Sequence, residues 1–438
     1  MNATARHGAG ISAAPAAQPA IDADTLIRSV LFLVVFLSIW ISFHPFPDLT
    51  VPLSPVTQSG DVINQVAFSA IFLLLAAWTS CHEPRRLLLL LRPVLLATLA
   101  WCALSVVTSW DPPTAARHLA FTLVIMSISA MALLLPKNPR HFTDLLAVVA
   151  LVVIATCYLG VFLAPKYAVH QAADFLEPEH AGEWRGVFDH KNEAGANMVL
   201  FIFVGLFVAR TRSLALGGLI VALAAVFLAF SQSKTAIGVL PIALILPAIV
   251  ARGRGPVFTG ALVVGGVALF NLFSVGTVIF TPLHDVVVAV MSDATFTGRT
   301  DIWRLGMQAL AQRPITGYGF DTFFGTNQVV YGLADNASWA NNAADAHNAY
   351  LNLALTVGLP GMALTVLWAI VLPIVDYCRG RGDAQTSALQ MLFLRVCVYG
   401  AFSSCFESSI FQQSTAVWFF FMTSIFGLCY LARTRVAV

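Results

Sequence analysis

Charge is what this sequence has least of. Only 11% of its 438 residues are Asp, Glu, Lys or Arg, while 58% are hydrophobic. A soluble globular domain carries about a quarter charged residues, so that class is excluded and the chain reads as an integral membrane protein. The basic residues are scattered in pairs and the net charge is +2, which leaves no massed surface for nucleic acid. Seven cysteines contain no CxxC pair, so no zinc ribbon is available. Cys102, Cys157, Cys397 and Cys429 fall in apolar runs and Cys81 and Cys378 in short basic loops, leaving Cys405 alone near the other face. One thiol forms no intrachain bridge there. Residues 1–25 lack an apolar core and are expected to be a flexible tail rather than a signal peptide. No internal repeat is visible.

What the chain does have is apolar runs of spanning length. The first is Leu26–Phe43, and eleven more follow at roughly 62–80, 87–108, 119–135, 142–164, 194–209, 214–230, 235–251, 256–280, 350–375, 384–404 and 415–431. An all-α polytopic protein of about 12 transmembrane helices is expected: nine within 26–280, a polar stretch over 281–349, three more within 350–431, and a short tail at 432–438. Basic pairs mark alternate connections: Arg85/Arg86, Lys137/Arg140, Arg210/Arg212, Arg252/Arg254, Arg379/Arg381 and Arg433/Arg435. The positive-inside rule puts these and both termini in the cytoplasm. Residues 281–349 then face outward, on the side of the membrane away from the cytoplasm.

That polar stretch concentrates the chemistry. Thr297–Trp303 places Arg299 just before an expected amphipathic helix, Asp301–Gln312, with Thr300 or Asp301 as its cap. A guanidinium at a helix start suits a phosphate. Pro314–Phe320 is a glycine turn. Ala346–Leu351 opens the next span and holds His347 at the interface beside Asp345 and Asn348, as a general base or as a structural histidine. Elsewhere, Ser231–Ala236 joins two runs with almost no loop. Lys234 therefore either faces a cavity or reaches for headgroups. Arg92 and Arg395 lie inside apolar runs, where pairing within the bundle is expected. In Pro165–Glu193, the residues His170, Glu179, His180, Glu183, Asp189 and His190 invite a metal, yet their spacing matches no zinc signature and none is assigned.

Taken together, RGVFDHKNEAG, SQSKTA, TGRTDIW, PITGYGF and AHNAYL followed by GLPG resemble the O-antigen ligase and O-antigen or exopolysaccharide polymerase superfamily of bacterial inner membranes. The resemblance covers about residues 60–430 and is densest from Arg185 to Gly361. It implies a metal-independent, cofactor-free glycosyltransferase of GT-C type. Such an enzyme passes a glycan from an undecaprenyl-diphosphate carrier to a glycan or lipid acceptor hydroxyl at the periplasmic face. By motif, the second ligase arginine is Arg299 and the histidine is His347, while Lys234 stands where the ligases have their first arginine. The HKN motif and this lysine are closer to the exopolysaccharide polymerases. On this reading His347, Arg299 and Lys234 are catalytic, and Arg185, Arg117, Tyr318, Trp303 and Asn348 are candidates for substrate binding. Trp303, Tyr318 and Trp339 would stack on sugars, unless they belong to an interfacial belt. Membrane lipid and other polysaccharide-assembly proteins are expected partners, and a transporter or flippase of the same pathway is the alternative.

The charge alternation is checked by reporter fusions. An alkaline phosphatase joined at Thr326 is expected to be active and one joined at Arg252 inactive. The reverse pattern would invert the topology.

Overall fold

The computed structural model describes residues 22–51, 62–175, 177–253, 255–290, 296, 298–326, 329, 340, 343–380, 383–412 and 415–434. Arg254, Arg381, Arg435 and Trp339 lie outside them. The described chain is helical, its only β pairing being one isolated bridge, Val169 with Trp184.

The helices are α1 (Ala23–Ile41), α2 (Val62–His82), α3 (Pro84–Leu88), α4 (Pro93–Val107), α5 (Pro112–Ala132) and α6 (Pro139–Leu163). Next come α7 (Pro165–Ala168), α8 (Lys191–Thr211), α9 (Leu214–Ser231), α10 (Lys234–Val250), α11 (Pro256–Phe273), α12 (Thr281–Val290) and α13 (Arg299–Gln312). The last three are α14 (Ala349–Arg379), α15 (Ala384–Ser403) and α16 (Ala416–Arg433). Each expected apolar run holds helix. Among the described residues, nine helices are long and apolar enough to cross a membrane, and α4 and α10 are shorter apolar helices. The protein is a multi-pass, all-α membrane protein.

Burial ranks the helices. Within their spanning windows α16 is 83% buried and α8 72%, against 22% for α2 and 28% for α1. The centre is therefore α8, α15 and α16, with α1 and α2 toward lipid. Aromatic stacking joins the two zones. Phe32, Phe36 and Trp40 run along one face of α1, and Phe36 and Trp40 meet Phe420 of α16 edge-on. At the end of the bundle that carries the basic pairs, Arg92 bonds Asp376 at 2.6 Å and the sulfur of Cys429 at 3.1 Å. The expected internal pairing of Arg92 thus ties α4 to α14 and α16.

The described part of the stretch 281–349 includes helix. It carries α12 and α13, and α13 starts at Arg299 rather than Asp301. Gly298 takes a left-handed φ of 83° and turns the chain into the helix, and neither Thr300 nor Asp301 acts as a side-chain cap. The glycine turn after α13 enters a break in α14. There Gly358 leaves helical geometry at φ 71°, ψ 172°, which strands the carbonyls before it. Tyr318 N–H donates to Leu355 O at 2.8 Å, Gly319 N–H to Thr356 O at 3.0 Å, and Trp101 Nε1 to Val357 O at 2.8 Å. Leu359 N–H donates back to Pro314 O at 2.8 Å. Non-helical backbone survives at membrane depth only when protein satisfies it in this way.

A side chain at Gly358 meets that turn directly, since its Cβ would stand 1.9 Å from Ile315 O at a φ that disfavours L residues. Gly358→Ala is expected to destabilise by on the order of 2 kcal/mol or more. Gly238→Ala, with nothing within 4 Å of its Cβ, serves as the neutral control. Thermal unfolding in detergent checks both. Equal midpoints would show that the inserted turn bears no strain.

Candidate active site

Five helices begin at one cavity of about 1060 Å³, at or above the upper end of the range usual for small-ligand sites, ~300–1,000 Å³. Arg117 lies early in α5, Lys191 opens α8, Lys234 opens α10, Arg299 opens α13, and His347 precedes α14; all line the cavity. Helix N-termini carry partial positive charge and unbonded N–H groups. Cations placed on them make those starts local anion sites, in a lining that also carries the carboxyl groups of Glu177, Glu179, Asp189, Glu193, Asp345 and Glu407.

The five starts are not finished alike. Asp111 caps α5, His190 caps α8 and Asn348 caps α14, each accepting a backbone N–H. Ser233 before α10 and Gly298 before α13 provide no side-chain cap. Neither start spends its first N–H groups on a side chain, although at α13 the Arg299 and Asp301 N–H groups donate to Phe296 O and Gly298 O. Lys234 sits just past a tight turn in which Gln232 is left-handed at φ 50°. It is exposed to the cavity and has no carboxylate partner among the described residues. Ser233 packs against α8 at Gly195, where a Cβ would lie 2.4 Å from the Ser233 Cβ.

Arg299 is held by the loop before α16. Its Nη1 donates to Phe406 O, and its Nη2 lies 3.2 Å from Glu407 Oε1. The other carboxylate oxygen of Glu407 stands 3.8 Å from His347 Nδ1, and Asn192 Nδ2 reaches Oε1 at 3.4 Å. One carboxylate thus gathers α8, α13 and the segment before α14. His347 is left-handed at φ 45°, a costly conformation for a branched-ring residue. It is held by the Asp345 carboxylate, which accepts the His347 backbone N–H at 2.6 Å. Nδ1 faces the carboxylates of Asp345, at 3.9 Å, and Glu407 without a hydrogen bond to either.

These charges shift both groups. Burial disfavours the imidazolium, but the Glu407 and Asp345 carboxylates outweigh it and raise the His347 pKa. Burial likewise pushes Glu407 up, yet His347 and Arg299 hold it below the usual carboxylate range.

The remaining expected residues divide. Arg117 lines the cavity. Arg185, Trp303, Tyr318 and Asn348 do not, because each is buried in a structural bond. Arg185 donates to Phe188 O and Pro47 O, Trp303 Nε1 to Ala346 O, and Tyr318 OH to Ala309 O. Asn348 Nδ2 donates to Asn271 Oδ1 and Cys405 O. These four hold the walls rather than face the cavity. Three further cations are engaged outside the cavity: Lys166 pairs with Asp48, Arg304 with Asp301, and Arg313 lies over the Trp110 and Tyr318 rings. Glu407 was missed. Its only sequence signal is that it is the sole charged residue in 405–414.

Removing the Glu407 charge is expected to lower the His347 pKa, read as a downward shift of its ring titration by NMR in Glu407→Gln. The sign for stability follows. The pairing stabilises fully below the unfolded histidine value of ~6.5 and is lost as pH rises through the raised folded value. An unchanged midpoint would remove Glu407 from the account.

Residues 196–366 match the family model described as O-antigen ligase. A curated relative, the exopolysaccharide production protein ExoQ of Rhizobium meliloti (strain 1021), is 29% identical over 202 residues, 42% of this chain and 44% of that protein. The chain thus matches less than half the length of that relative. The matched segment contains Lys234, Arg299 and His347, and its similarity to O-antigen ligases and to an exopolysaccharide production protein agrees with the resemblance carried by the sequence motifs.

Proposed function

We propose that the chain is a glycosyltransferase that moves or polymerises a glycan from an undecaprenyl-diphosphate donor onto an acceptor hydroxyl at the periplasmic face of the inner membrane. The observation that carries this is the pair of uncapped helix starts bearing Lys234 and Arg299, opening on the same cavity as His347. A lipid diphosphate needs cations at the interface, and 281–349 supplies one of them on a helix held against α14.

In this reading the donor diphosphate lies against Lys234, Arg299 and the N–H groups beside them. His347 takes the proton of the acceptor hydroxyl at Nε2, the nitrogen turned away from the carboxylates. The oxygen attacks the anomeric carbon, the bond from that carbon to the diphosphate oxygen breaks, and the diphosphate leaves with the electron pair. Asp345 and Glu407 stabilise the imidazolium that results. Inversion is expected, since no carboxylate is assigned as a covalent nucleophile. As the resemblance implies, the transfer itself uses no metal. The HKN motif, Lys234 and the likeness to an exopolysaccharide production protein favour polymerisation over ligation. A transporter places its site near mid-membrane between repeated halves, whereas this cavity is lined from helix starts at one end of the bundle.

A deletion strain separates the outcomes by its surface glycan: short unpolymerised repeats mean a polymerase, and free lipid-linked polymer means a ligase. Lys234→Ala and Arg299→Ala are each expected to reduce transfer ~10- to 150-fold, the worth of a charge-assisted hydrogen bond of ~1.5–3 kcal/mol. Lys234→Arg should retain part of the activity. His347→Ala is expected to lose turnover far more than donor binding. Normal turnover in all three alanine variants would leave only a scaffold.

A further inference from the structure

The loop before α8 gathers histidines that sequence spacing kept apart. The rings of His170, His180 and His190 lie 5.8, 5.3 and 5.6 Å from one another, with interplanar angles of 69°, 71° and 75°. Two imidazoles on one tetrahedral ion sit at nearly the 5.6 Å spacing of His180 and His190, because metal–nitrogen bonds of ~2.0–2.1 Å put the ring centres ~5 Å apart. Ligand atoms of Glu177, His180 and His190 all fall within 4.8 Å of one another. A tetrahedral ion asks for ~3.4 Å between them, a closure that small side-chain rotations supply. We propose that Glu177, His180 and His190 bind one divalent transition-metal ion of the zinc class at the cavity rim.

The surroundings prepare His180 for this. Its Nδ1 lies 3.1 Å from Glu183 Oε2, and Lys191 Nζ holds the same oxygen at 2.6 Å. A carboxylate on one ring nitrogen fixes the tautomer that leaves the other nitrogen free to ligate. His170 is committed elsewhere, with Nδ1 on Asp174 at 2.9 Å and Nε2 accepting the Lys191 backbone N–H at 3.3 Å. It forms a wall rather than a ligand.

His190 decides the energetics. Its Nδ1 accepts the Asn192 N–H at 3.0 Å, so the neutral ring carries its proton on Nε2, which faces Glu177 Oε2 at 2.8 Å without a hydrogen bond. An ion at Nε2 moves that proton to Nδ1, and the cap on α8 is given up. A lost cap changes an equilibrium by roughly 2- to 30-fold, whereas structural zinc binding is worth on the order of 10⁷-fold or more. The metal wins. Bound there, it would fasten the Pro178–His180 turn to the start of α8, with a fourth position open to an oxygen from the cavity. No residue of the transfer machinery is a ligand, so this proposal does not rest on the transfer reading.

The test is a Co²⁺ titration of the purified full-length protein in detergent. Expected are one equivalent of tetrahedral d–d absorption with no thiolate charge-transfer band, displacement by Zn²⁺, and a higher unfolding temperature with Zn²⁺. Glu177→Gln and His180→Ala should each weaken binding at least ~100-fold and abolish the thermal shift. The near-isosteric Glu177→Gln carries the test if His180→Ala does not fold. No absorption at equimolar cobalt, a thiolate band from a cysteine site, or undiminished binding by Glu177→Gln would overturn the proposal.

Discussion

The requirement that no backbone group go unbonded inside a membrane organises this protein more than any side chain does. α14 breaks at Gly358, and a broken helix in that setting exposes carbonyls that water cannot reach. The turn Pro314–Phe320 fills the gap, accepting and donating main-chain bonds that the helix lost. Because α13 leads into that turn and His347 precedes α14, the same insertion sets Arg299 and His347 to one another. The position of the two groups is thus a by-product of backbone bookkeeping two turns below them.

Electrostatics then refines what the backbone has placed. The cavity draws five helix starts together, a convergence that repels cations and welcomes anions. The protein nevertheless puts Arg117, Lys191, Lys234, Arg299 and His347 there. Glu407 offsets part of that charge by reaching both Arg299 and His347. Lys234 is left without such a partner, which makes it the cation most ready to meet a ligand's charge. Arg299 and His347 act as a pair with a shared carboxylate.

The periodicity of apolar residues made the helical architecture legible, because spanning length and loop charge are properties of contiguous sequence. Lys234, Arg299 and His347, which line one cavity, stood out for a related reason, since each sits in a short polar motif at the edge of an apolar run. Tertiary partnership was not. Glu407 reads as an ordinary loop acid until the fold sets it beside groups 60 and 108 residues away (407 − 347 and 407 − 299). Trp303, Tyr318 and Arg185 carry the composition of a sugar or phosphate site, yet each is consumed by a main-chain carbonyl. The histidines of 170–190 show the same limit, because their proximity comes from a hairpin closed by Val169 and Trp184 and not from any spacing rule.

The near-contact between Gly195 and Ser233 has a bearing on how such proteins diversify. With no room for even a methyl group between α8 and the start of α10, the HKN-bearing helix and the lysine-bearing turn form one closely packed unit. Recombination that exchanges one without the other places a foreign α8 surface against Lys234 and disturbs the cation's register. Chimeras between relatives should therefore tolerate crossovers in the connection from α8 to α9 only when both partners carry glycine at this position.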